Sequence, residues 1–95
     1  MKIIKQFKLF KVKANSDYIV PIHSVLGECR LRLFLHGVSN NTKCSIKVND
    51  ETIFNKNISG ANYSIDIPIK VTYGSTVLVR LNEDRVIDLI IFNLM

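Results

Sequence analysis

Apolar and polar side chains alternate along most of this chain with a period of two, the period of a strand buried on one face. Cys29, Leu31, Leu33 and Leu35 alternate with Arg30, Arg32, Phe34 and His36, and Tyr63, Ile65, Ile67, Ile69 and Val71 alternate with Ser64, Asp66, Pro68 and Lys70. Tyr18, Val20 and Ile22 form a shorter inward set before a loop over His23–Glu28. Gly37–Lys43, rich in Ser, Asn and Thr, reads as a second loop. Ile46 and Val48 then lead into Asn49-Asp50, two residues that tolerate positive φ and suit a tight hairpin turn, with Ile53 and Phe54 on the return strand. Ser59-Gly60 predicts the next turn, Tyr73-Gly74 another before Val77, Val79 and Leu81, and Asn82–Arg85 the last before a strand over Val86–Met95. Pro68 donates no ladder hydrogen bond, which places its strand at an edge or beside a local break.

The first strand, residues 2–13, is less regular. Ile3, Ile4, Phe7 and Phe10 share one face at helical spacing, but Leu9 and Val12 then fall on the wrong side. A strand with a bulge near Leu9–Phe10 accommodates all six. Seven or eight short strands at regular spacing predict an all-β fold. The expected form is an antiparallel two-sheet β-sandwich, jelly-roll-like or immunoglobulin-like, with a small β-barrel as the alternative.

Composition agrees with strands. Thirteen Ile and nine Val stand against two Ala and four Gly, and β-branched side chains fit a pleated sheet. A length of 95 residues predicts one domain able to bury a core without cross-links. Two cysteines, Cys29 and Cys44, are too few for a disulfide framework and are expected to be buried free thiols near opposite ends of a hairpin. Lysines interrupt any apolar region of a signal peptide, and no apolar run reaches the ~20 residues of a membrane-spanning helix. The expected setting is therefore the cytoplasm or the inside of a virus particle, without membrane insertion.

Charge adds one feature. Lys2, Lys5, Lys8, Lys11 and Lys13 carry the whole formal excess of +5, because the eight basic and eight acidic residues that follow cancel. Such an arm either contacts a polyanion or is an edge strand whose lysines discourage edge-to-edge pairing. The final strand adds another. Ile87, Leu89 and Ile91 point one way while Val86, Ile90, Phe92 and Leu94 point the other, and Phe34 is a candidate neighbour on the outward side. A strand apolar on both faces lies under cover or in an interface.

Candidate chemistry is sparse. His23 and His36 lack metal-ligand spacing, His23-Ser24 beside Asp17 has no nucleophile-elbow context, and Asp50-Glu51 and Glu83-Asp84 are neighbours in turns. No cofactor, metal or small-molecule substrate is indicated, and an enzyme is not expected. Asn40-Asn41-Thr42, Asn57-Ile58-Ser59 and Asn62-Tyr63-Ser64 match glycosylation sequons but read as turns.

The layout resembles the compact β-sandwich modules of virus and phage particles, such as accessory capsid, decoration and fibre proteins. That resemblance implies a non-enzymatic structural or interaction module. The doubly apolar final strand supplies the expected surface, on which the chain would assemble with itself or a protein partner through Phe34, Val86, Ile87, Leu89, Ile90, Ile91, Phe92 and Leu94. One alternative is a binder of nucleic acid or another polyanion through Lys2, Lys5, Lys8, Lys11 and Lys13. Another is a glycan-binding β-sandwich, with Tyr73 as its exposed aromatic and a shallow groove beside it.

Overall fold

The fold turns on one hairpin long enough to belong to two layers. A computed structural model describes residues 2–23 and 27–93, with the backbone alone for residues 38–40. Its six strands are β1 (Lys2–Val12), β2 (Tyr18–Pro21), β3 (Gly27–Val48), β4 (Glu51–Val71), β5 (Thr76–Leu81) and β6 (Arg85–Asn93). β3 and β4 pair from Gly27↔Val71 to Val48↔Glu51, closed by Asn49 (φ 50°) and Asp50 (φ 67°) in the turn predicted for them. Along its other edge β3 pairs β6 over Cys29–His36 and β5 over Cys44–Val48. β1 then pairs β6, β2 pairs β5, and all pairings are antiparallel.

Two four-stranded layers follow from this sharing. The first holds β1, β6, the first half of β3 and the second half of β4; the second holds β2, β5 and the remaining halves. Pairing of β3 with β4 resumes on both sides of the corner, so the sandwich is also one sheet folded on itself. On the side away from β4, the edge strands β1 and β2 approach through Phe7, Phe10 and Tyr18, with ring centroids 4.3 Å apart for Phe10–Tyr18. Leu31, Leu33, Leu35, Ile87 and Ile91 from the first layer and Cys44, Ile46, Val77, Val79 and Leu81 from the second are all fully or almost fully buried in one core.

The fold corrects four expectations. Gly37–Lys43 is continuous strand, and Ser59-Gly60 is a bend within β4 instead of a turn between strands. Polar turn-formers occupy both stretches because β3 and β4 change layers there. The ladder slips between Leu35 and Val38 and again between Ser39 and Thr42. Gly37 (φ 90°) and Gly60 (φ 103°) take a conformation that a side chain disfavours, and Asn62 Oδ1 accepts the Gly37 N–H at 2.9 Å. Tyr63, expected inward, is 37% exposed beside this corner. Cys29 and Cys44 are free and buried as expected, but both lie on β3.

Other expectations hold. β1 is a strand with a register shift between Phe7 and Phe10, and Leu9 (φ 49°) sits in that bulge. β4, which carries Pro68, pairs with β3 alone among the described residues and so is an edge strand. Within the expected loop His23–Glu28, residues 24–26 lie outside the described residues, and Gly27 and Glu28 already belong to β3.

A buried cation closes the corner. Arg85, 8% exposed, donates from Nε to His36 O at 3.0 Å, from Nη2 to Gly37 O at 3.3 Å, and from Nη1 to Thr42 Oγ1 at 3.2 Å and Glu83 Oε1 at 3.0 Å. Thr42 Oγ1 in turn donates to Glu83. Carbonyls freed by the bulge are thus satisfied by one guanidinium. Arg85→Ala is expected to cost about 2–4 kcal/mol, below a fully enclosed pair because Glu83 keeps solvent contact. Urea unfolding checks this, with exposed Lys13→Ala as a control expected to stay within about 0.5 kcal/mol.

Candidate functional site

The alternation that buries Cys44, Ile46 and Val48 sends Lys43, Ser45 and Lys47 to the outside of the second layer. The ladder surrounds them with polar neighbours. Ser45 stands between Arg80 on β5 and Asn55 on β4, and Lys47 between Leu78 and Thr52. Lys43 N donates to Asn82 Oδ1 at 2.8 Å while its carbonyl accepts the Asn82 N–H, which fixes the end of this platform. The turn after β1 supplies a wall, with Asn15 N bonded to Leu81 O at 2.7 Å.

These residues line a groove of about 470 Å³ formed by Asn15, Asp17, Lys43, Ser45, Lys47, Thr52, Asn55, Leu78, Arg80 and Asn82. Three cations face one carboxylate. Arg80 Nη1 lies 3.6 Å from Asp17 Oδ1, both half exposed, which is a loose pair worth ~0–1 kcal/mol. Lys43 and Lys47 form no ion pair with a described residue. Leu78 and the neighbouring Ile19, 57% exposed, supply a small aliphatic strip. Amides, hydroxyls and cations around such a strip bind hydroxyl-rich or anionic ligands. A lone carboxylate held beside an arginine has no partner for acid–base work.

The residues predicted for an interface divide by face. Ile87, Leu89 and Ile91 lie in the core. Phe34, Val86 and Ile90 are half-buried on the outside of the first layer, and Leu94 lies outside the described residues. Phe92, on that outer face, is 1% exposed, with the Arg32 guanidinium 4.7 Å over its ring. Arg32 is held by Asp66, whose two oxygens take Arg30 Nε at 2.7 Å and Arg32 Nε at 2.9 Å. The cover that the final strand requires is thus partly internal, although arginine and aspartate read as solvent-facing.

On the same face His36 packs against Phe34, with centroids 4.7 Å apart, and its Nε2 lies 2.9 Å from Asp88 Oδ2. Asp88 Oδ1 accepts the N–H of Leu9 at 2.7 Å, so this carboxylate pins the bulge of β1. Lys2, Lys8, Lys11 and Lys13 are exposed and Lys5 half-buried on or just beyond that strand. None of the five lines the groove, although Lys11 and Lys13 border a second cavity of about 430 Å³ beside Arg85. Tyr73 is 67% exposed and does not line the groove either.

The groove was not anticipated from sequence. Its signal is the run Lys43, Ser45, Lys47 opposite Cys44, Ile46, Val48, which the loop assignment of Gly37–Lys43 cut short. Among the described residues no group of three His, Cys, Asp or Glu is placed to hold a metal ion. Burial raises both thiols above the ordinary range, Cys44 to about 12, so they stay protonated at neutral pH. Among the described residues no helix is long and apolar enough to cross a membrane.

No family model matches the chain, and no curated protein matches it in sequence. Its fold is similar to several solved structures. A family 35 carbohydrate binding module from Clostridium thermocellum is similar with a TM-score of 0.64 and 13% identity, over 85% of this chain and 72% of that one. The CBM36-1 domain of a multidomain xylanase from the hindgut metagenome of Trinervitermes trinervoides gives 0.57 and 12%, over 99% and 96%. Rabbit GITRL gives 0.64 and 16%, over 87% and 76%. These likenesses establish a β-sandwich fold, shared with carbohydrate-binding modules.

Two carboxylates outside the groove set an acid limit. Hydrogen bonds from Arg30 and Arg32 lower the pKa of Asp66, and those from Leu9 N–H and His36 lower that of Asp88, each from 3.8. Depressed carboxylates stabilise the fold above their unfolded pKa and lose that contribution as pH falls through the folded value. The chain should therefore lose urea resistance below about pH 4, and Asp66→Asn/Asp88→Asn should show a flatter profile down to about pH 2. A parallel loss in that variant would remove both groups from the account.

Proposed function

We propose that the chain is a non-catalytic carbohydrate-binding module that holds a glycan in the groove on the outside of its second layer. The observation that carries this reading is the groove itself: a strand platform with Asn15, Ser45, Thr52, Asn55 and Asn82 around the aliphatic Leu78. Sugars present hydroxyls at their rims and C–H surface on their faces, and such a lining answers both. The fold likeness to carbohydrate-binding modules supports the same reading, and the groove's single carboxylate gives no paired acid and base.

Assembly through β6 has less support, since Ile87, Leu89 and Ile91 are occupied in the core and Phe92 is covered by Arg32. The similar structures named above lend no support to a capsid or fibre role. The exposed lysines of β1 keep a polyanion contact as a competing outcome.

Affinity electrophoresis in gels cast with different polysaccharides tests the proposal. The wild type should be retarded by at least one of them. Ser45→Trp, which fills the groove from its floor, should weaken that retardation about tenfold or more, equal to ~1.4 kcal/mol, with an unchanged melting curve. Lys5→Gln/Lys8→Gln/Lys11→Gln should leave it intact. Retardation that follows the β1 lysines and ignores Ser45 would count against a glycan groove.

A further inference from the structure

We propose that the groove selects acidic saccharides, those carrying carboxylate or sulfate groups, over neutral ones. This rests on the glycan reading and names the ligand class for the same site.

The argument begins with placement. Lys43 and Lys47 project from one face of β3 four residues apart, about 13 Å along the strand at ~3.3 Å per residue. Arg80 stands opposite the intervening Ser45 on the adjacent strand, roughly 8 Å in Cα position from each lysine at the usual strand spacing. The three cations form a zigzag along the floor instead of a cluster at one end. A ligand with anionic groups repeating along its length meets them in turn, whereas a neutral sugar uses none of their charge.

The balance of charge points the same way. Beyond residue 13 the basic and acidic residues of the chain cancel, yet the groove holds Lys43, Lys47 and Arg80 against Asp17 alone. Lys43 and Lys47 carry no ion pair with a described residue, and Arg80 is held only by the 3.6 Å contact to a half-exposed carboxylate. A carboxylate or sulfate entering beside Arg80 offers the guanidinium fork two oxygens at closer range. Cations along a concave wall also concentrate their field within it. Chemistry separates this ligand class from nucleic acid. No aromatic side chain lines the groove, so bases have no stacking platform, while the amides and hydroxyls between the cations suit a polymer rich in hydroxyls.

Isothermal titration calorimetry with polygalacturonate, fully methyl-esterified polygalacturonate, heparin, a neutral galactan and single-stranded DNA tests the proposal. Methyl esterification removes the charge and keeps the sugar. Polygalacturonate or heparin should bind at least about tenfold tighter than the ester and the galactan, with the advantage shrinking as salt rises to ~0.5 M. Lys43→Gln/Lys47→Gln should abolish the preference without changing the melting temperature, and Arg80→Gln should reduce it. Equal binding of the acid, its ester and the galactan would overturn the preference and leave the glycan reading standing. Binding of DNA alone, or of no polysaccharide, would overturn both.

Discussion

The guanidinium of Arg85 sits where the architecture is decided. A strand of twenty-two residues has no reason of its own to serve two layers, and left straight it would give a flat ribbon with one face exposed. β3 turns because its ladder to β4 slips twice between Leu35 and Thr42 and Gly37 takes a positive φ, which turns the carbonyls of His36 and Gly37 toward Arg85. Arg85 binds the carbonyls on one side of the slip and Thr42 on the other. With that corner held, Leu31, Leu33 and Leu35 face Cys44, Ile46 and Val48 across the core, although all six belong to one strand. The cation is therefore structural. Burying it costs free energy that its four acceptors offset.

The same turn separates the two outer faces, which solve different problems. On the first layer, Arg30 and Arg32 gather on Asp66, and Arg32 lies over Phe92. Surface ion pairs of this kind contribute ~0–1 kcal/mol each, whereas burying a large aromatic contributes about 2–3 kcal/mol. The charges there matter mostly because they hold an aliphatic stem and a flat guanidinium over an aromatic ring. On the second layer no such pairing consumes Lys43 or Lys47, and the groove keeps its charge. The arginines of the first layer thus share an acid, whereas two lysines of the groove form no ion pair with a described residue.

Much of this was legible in the alternation of side chains. The inward sets of β2, β3, β5 and β6, the Asn49-Asp50 turn, the bulge at Leu9 and the edge position of Pro68 all follow from local rules acting on neighbouring residues. The corner was not legible, because Gly37, Asn41 and Thr42 are turn-formers whether a strand ends or only bends. What distinguishes the outcomes is Arg85, more than forty residues away. The groove was hidden for the same reason. A loop over Gly37–Lys43 separates Lys43 from Ser45 and Lys47, and a net charge that cancels beyond residue 13 masks the local excess of cations. Arg32 over Phe92 was equally out of reach, since it depends on which strand β6 pairs with.

The pairing of β1 with β6 carries a consequence for how the chain acquires its structure. The β3–β4 hairpin can zip outward from Asn49-Asp50 through contacts that are local at each step, and β5 can then join β3 soon after it is made. β1 has no such early partner, because β6 is the last of the described strands. During synthesis β1 must wait with its ladder groups unpaired until β6 has emerged. A waiting strand of Ile, Phe and Leu invites association with other chains. Five lysines spaced through residues 2–13 give it the repulsion to remain apart until its place opens.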